Sequence, residues 1–155
     1  MKKINFLITS GIIVALTACS GGGGGSPTPI PDPDGGTGLE IYLFAGSNGV
    51  DGYELWTSDG TPDGTIMVKD INPSGSSLPS DHMFTFNNEV YFVANDGTNG
   101  RELWKTNGTE AGTVMVKDIN PSGDSVPASF TAYKNELYFS AYDGVGHRLW
   151  KTNGT

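Results

Sequence analysis

The sequence predicts an all-β protein built from a repeated four-stranded sheet, and three observations carry that expectation. Tryptophan recurs at Trp56, Trp104 and Trp150, 48 and 46 residues apart, each time inside a near-copy of one motif. Glycine and proline number 23 and 9 of 155 residues, and many of the glycines sit in Asx-Gly pairs such as Asp96-Gly97, Asn99-Gly100 and Asn107-Gly108. Such pairs supply the positive φ that tight hairpins need. Beyond the N-terminal leader, no segment repeats its apolar residues with the 3.6-residue period of a helix.

Composition narrows the function classes. Nine Lys and Arg face 17 Asp and Glu, for a net charge of −8. A net-acidic chain without a basic stripe has no electrostatic footprint for phosphate, so no nucleic-acid partner is expected. The single cysteine, Cys19, excludes an internal disulfide and any zinc site built on cysteines.

The chain opens as an address. Met1-Lys2-Lys3 is a short positive start, and a mostly apolar run follows from Ile4 to Ala18. That run is shorter than the roughly 20 residues a membrane span requires, and it fits the apolar core of a secretory signal. Leu16-Thr17-Ala18-Cys19 then resembles the lipobox of bacterial lipoproteins. The resemblance implies cleavage between Ala18 and Cys19, a diacylglyceryl thioether on Cys19 and acylation of the new α-amine. Two or more acyl chains hold a protein stably on a bilayer, at about 0.8 kcal/mol per buried CH₂. Ser20, rather than Asp, follows the cysteine, which points to the outer membrane and leaves the leaflet open. Residues 1–18 are therefore read as a lipoprotein signal peptide.

Residues 19–38 are read as the lipidated cysteine and a disordered tether. Gly21 to Gly25 form flexible coil, and the alternating prolines from Pro27 to Pro33 favour stiff polyproline II. A flexible chain of this length averages about 25 Å end to end, and the prolines lengthen it. One large apolar residue, Ile30, cannot build a core.

Residues 39–155 form the repeat region, with units at about 39–87, 88–134 and a partial 135–155. Tyr53-Glu54-Leu55-Trp56-Thr57-Ser58-Asp59-Gly60-Thr61 returns as Arg101 to Thr109 and as His147 to Thr155. Gly64 to Gly75 returns as Gly112 to Gly123. Upstream, Ile41 to Ala45 is matched with Val90 to Ala94 and Leu137 to Ala141. Each unit reads as four strands. The first, such as Glu89 to Ala94, is apolar on both faces and belongs in the middle of a buried layer. The second alternates around its tryptophan. The third, Thr113 to Ile119, ends before Pro121, which cannot continue the ladder. The fourth is weaker, at Met83 to Phe86 and Ser129 to Tyr133, and is read as closing its unit. Asp70 and Asp118 are expected to cap the turns before Pro73 and Pro121.

Four antiparallel strands in about 47 residues, marked by one tryptophan, is the arithmetic of a β-propeller blade. The units look like the ELWxxDGT repeats of bacterial surface proteins, a propeller-like family. Glu54-Leu55-Trp56 and Asp59-Gly60-Thr61 match that motif closely. The second unit places Asn107 where the family has Asp, and the third has Arg148 in place of Glu and Asn153 in place of Asp. The resemblance implies architecture and a surface setting more than chemistry. About two and a half units make an incomplete ring, because propellers typically need four or more blades. Open blade edges would then invite self-association. The chain reads as a piece of a longer repeat protein, with a short protein that completes its ring by oligomerisation as the rival.

No catalytic constellation emerges. His82 and His147 fall at unrelated repeat positions and outside any metal-ligand spacing. Asp96, Asp59 and Asp63 are calcium candidates, because turn carboxylates supply oxygen ligands. Turn chemistry explains the same residues, since Asp and Asn bond their own backbone. The tryptophans are read as packing sheet against sheet rather than as sugar platforms. The function expected is therefore non-catalytic: an outer-membrane, lipid-anchored lipoprotein presenting a propeller-like module to a protein or glycan partner, without a cofactor. The alternative is a fragment of an extracytoplasmic carbohydrate-active hydrolase or lyase whose active-site blades lie elsewhere.

Overall fold

The structure, a computed structural model, describes residues 11–14, 41–79 and 82–154. The signal cleavage site, Cys19 and the tether lie outside the described residues. Among the described residues there is no helix. The strands are β1 (Gly11–Val14), β2 (Ile41–Gly46), β3 (Glu54–Ser58), β4 (Ile66–Lys69), β5 (Phe84–Phe86), β6 (Glu89–Asn95), β7 (Arg101–Thr106), β8 (Val114–Lys117), β9 (Ala128–Tyr133), β10 (Glu136–Tyr142) and β11 (His147–Thr152). They form three antiparallel sheets, ordered β1-β2-β3-β4, β5-β6-β7-β8 and β9-β10-β11.

The all-β expectation holds, and so does the placement of the apolar strand inside its sheet. β6 lies between β5 and β7, and Val90 to Ala94 are buried without a break. The repeat is also visible in a defect. The ladder shifts between Leu55 and Trp56 against β4, and at the same place between Leu103 and Trp104 against β8. Each shift leaves one extra residue on the outer strand, a bulge that bends it and increases its twist.

The sheets are cut from the chain one strand earlier than the sequence units suggest. The strand read as closing the first unit, Met83 to Phe86, is β5, and it pairs with β6 of the next sheet. The same holds for β9, which pairs with β10. The cause is local. Asn87 and Asn88 have φ of 50° and 61°, and Lys134 and Asn135 have 48° and 61°. Two successive residues with positive φ make the two-residue hairpin turn whose twist matches flanking strands. In the first sheet the position of β5 and β9 is taken by β1, at register Gly11↔Phe44 to Val14↔Ile41; this strand lies within the residues read as the signal peptide, so cleavage before Cys19 would remove it and open that edge of β2.

A second correction concerns register. Phe44 pairs with Trp56 just as Phe92 pairs with Trp104. Tyr42 to Gly46, not Ile41 to Ala45, is therefore the structural match of Val90 to Ala94. A slip of one residue reverses every side chain in a strand, so the correction changes which face each residue serves.

With the register set, the core has a simple order. Leu43, Leu55, Val68 and Ile71 of the first sheet pack against Val90, Phe92, Ala94 and Trp104 of the second. Tyr91, Leu103 and Ile119, on the other face of the second sheet, pack with Leu137, Phe139 and Ala141 of the third, and Trp150 covers the cluster's margin. Each sheet thus points its tryptophan back and its Leu55-type leucine forward. The tryptophans of the second and third sheets stand between sheets, as the sequence suggested.

Candidate functional site

The motif residues organise the connections between sheets. Glu54 and Glu102 are fully buried. Glu54 accepts the Ile71 N–H at 2.9 Å and the Ser77 N–H at 2.8 Å. Glu102 accepts the Ile119 N–H at 2.9 Å and the Ser125 hydroxyl at 2.6 Å, both on Oε2. Ser77 and Ser125 in turn offer their carbonyls to Asn95 N–H and Tyr142 N–H of the next sheet. A carboxylate on one sheet therefore holds the connector that holds the following sheet. Burial pushes both glutamate pKa values up, against the pull of the donated hydrogen bonds, and Asp70 or Asp118 nearby adds to the rise. Oε1 of Glu102 has no hydrogen bond of good geometry, although the Asn120 N–H favours its charge.

The turn that contains each proline is capped by asparagine, and Asp70 and Asp118 do not serve as the caps expected before it. The Asn72 carbonyl accepts the Gly75 N–H, its side-chain oxygen accepts the Ser74 N–H, and its amide donates to the Ser76 carbonyl. Asn120 repeats the arrangement with Gly123, Ser122 and Asp124. Asp70 and Asp118 each keep a buried carboxylate oxygen without a hydrogen bond. Asn wins because its side chain both accepts and donates, which closes the turn on two sides.

The Asp-Gly-Thr segment is a second internal device. Asp59 Oδ1 accepts both the N–H and the hydroxyl of Thr61, which hold its pKa down. The Thr61 hydroxyl accepts the Gly64 N–H. A Cβ on Gly64 would lie 1.9 Å from Asp59 Oδ1. Asn107, Thr109 and Gly112 repeat these contacts in the second sheet. Asp96 accepts the N–H groups of Thr98 and Asn99 and the Asn99 amide; burial raises its pKa, but these bonds outweigh it and the net shift is downward. Asp63 is exposed in the turn after Thr61. The three calcium candidates thus occupy turns, and two of them are committed to their own loops. Among the described residues no three His, Cys, Asp or Glu side chains gather as metal ligands would.

What the motif leaves over is surface. The forward face of the second sheet, with Tyr91 and Leu103 fully buried, is covered by the third sheet. On the third sheet the matching Leu149 is 77% exposed and the matching Tyr138 only half-buried. Tyr133 lies against Tyr138, Tyr142 against His147, and Val145 is exposed. The lysines tell the same story. Lys69 reaches the Thr113 carbonyl of the next sheet, and Lys105 reaches Glu89 and the Gly154 carbonyl. Lys151 meets Glu136 of its own sheet at 2.8 Å. Tyr91, sealed by the third sheet and beside Glu89, has its phenol pushed up to about 12, burial being the larger cause.

Comparison with known proteins finds no matching family model, no similar curated protein and no matching solved structure. Among the described residues no helix is long and apolar enough to cross a membrane.

Proposed function

We propose that this chain is a lipid-anchored module of propeller-like repeats that acts by binding or scaffolding rather than by catalysis. The observation that carries the reading is the repeated sheet-on-sheet interface. One set of residues builds it twice, and the motif carboxylates of Glu54 and Glu102 are spent on the connectors that join sheets. A fold maintained by such units offers loops and an outer sheet face as its working surface. The sequence supplies the anchor: a leader, the Leu16 to Cys19 lipobox and a Gly/Pro tether that holds the module clear of the headgroups. The outer membrane is the proposed location, and a protein or a glycan the proposed partner.

Fractionation tests the anchor. Cys19→Ala should move the protein from the membrane pellet to the soluble fraction while its β-type circular dichroism is unchanged. A variant that still pellets with membranes overturns the lipid-anchor reading.

A further inference from the structure

A cleft opens where the second and third sheets meet at their connector, with a volume of about 590 Å³. Its walls include Phe84, Val93, Pro127 and Phe130, and its polar members include Arg101 and His82. That volume falls within the range of small-molecule sites, which pair apolar walls with a few placed polar groups.

Arg101 is the unusual member. It opens β7, the position held by Tyr53 and His147 in the other two motif copies, so the repeat does not require an arginine there. Its main chain is fully engaged. Asp124 accepts its N–H at 2.8 Å, and its carbonyl accepts the Ser125 and Val126 N–H groups. Its guanidinium is not: among the described residues no carboxylate forms an ion pair with it, and Nε is buried without an acceptor. By contrast, Lys105, Arg148 and Lys151 are each paired with a carboxylate. A half-buried guanidinium without an anion, on an acidic protein, costs free energy unless something else answers it. Unsatisfied groups of this kind call for an explanation such as a bound ligand. The connector side of the cleft is strained as well. Val126 and Ser129 hold φ of 42° and 59°, in the left-handed region that a β-branched residue rarely enters.

We propose that this cleft binds a small amphiphile carrying one carboxylate, with its apolar body between Phe84, Val93, Pro127 and Phe130 and its carboxylate on the Arg101 guanidinium. The planar fork of arginine suits bidentate capture of a carboxylate. The site goes beyond the scaffolding role, because the repeat motif does not call for Arg101: Tyr53 and His147 hold its position in the other two copies.

Titration of the full chain carrying Cys19→Ala with octanoate, in the absence of detergent, tests the proposal by calorimetry, with 1-octanol and octylamine as probes of equal length. Octanoate should bind, and 1-octanol and octylamine should bind at least about tenfold more weakly, the scale of one charge-assisted hydrogen bond. Arg101→Gln should weaken octanoate by a similar factor and leave 1-octanol unchanged. Arg101→Lys should retain part of the preference, and Lys117→Gln all of it. Equal binding of octanoate and 1-octanol, no binding of octanoate, or undiminished octanoate binding by a folded Arg101→Gln overturns the proposal. The comparison of the three probes on the unaltered cleft decides the matter even if both arginine variants fail to fold.

Discussion

Glu54 and Glu102 occupy the same motif position but use their oxygens differently, and that difference is measurable. Glu54 spends both oxygens on N–H donors, whereas Glu102 takes the Ile119 N–H and the Ser125 hydroxyl on one. Glu54→Gln turns an amide donor toward a donor and should cost about 1–3 kcal/mol in urea unfolding; Glu102→Gln should cost less. Equal losses would show that the bonding pattern does not set the difference. The pH dependence has a definite sign. Folding raises the Glu102 pKa above the ordinary glutamate value of 4.5, so the native state binds the extra proton. The stability from this shift is complete below that value and is lost as pH rises through the folded pKa. The advantage of the parent chain over Glu102→Gln should therefore shrink as pH rises above 4.5; a widening gap would contradict the dominance of burial. The lowered carboxyls Asp59, Asp96 and Asp143 act in the opposite sense, losing their contribution as pH falls. The sequence marked Glu54 and Glu102 only as part of a motif. Their role is hidden in the sequence because their partners lie 17 to 23 residues away on a connector, whereas the expected caps Asp70 and Asp118 are sequence neighbours of the turn.

At the scale of strands and turns, the glycine after the motif is fixed by space. Gly112 has no room for a Cβ, which would stand 2.0 Å from Asn107 Oδ1. Gly112→Ala should destabilise by about 1–3 kcal/mol through displacement of the Asn107 side chain. Pairing it with Asn107→Ala should recover part of that loss, since the obstacle is then removed; strictly additive losses in a double-mutant cycle would refute the contact. Most of the strand positions were legible in the sequence, because period-2 patterning, Asx-Gly pairs and the prolines at 73 and 121 are local signals. Two things were not. The chain was divided after β5 because repeats show their period but not their phase. Only the positive φ of Asn87 and Asn88 shows that this strand turns forward into the next sheet. The match of Ile41 to Ala45 with Val90 to Ala94 is one residue out of register, as the twelve-residue spacing from Phe44 to Trp56 and from Phe92 to Trp104 shows. Five apolar residues in a row align with themselves almost as well when shifted by one.

For the molecule as a whole, equivalent leucines have unequal surroundings. Leu103 is fully buried by the third sheet, while Leu149 is 77% exposed. Leu103→Asp should abolish the cooperative fold, because it places a charge in a dry interface. Leu149→Asp should leave unfolding nearly unchanged, within about 0.5 kcal/mol, and should reduce any self-association seen by sedimentation. A large loss of stability from Leu149→Asp would mean that this face is covered. The cleft was not foreseeable from the sequence, since it joins Arg101 to residues 25 to 29 positions further on and to His82 upstream.

Because each sheet meets its neighbour indole-first on one side and leucine-first on the other, the stack has a head and a tail. Two identical ends cannot join by a two-fold axis through this interface. Units added in this sense either curve until the last meets the first or continue as a fibre. Curvature per step is therefore the quantity that separates a closed assembly from an endless one.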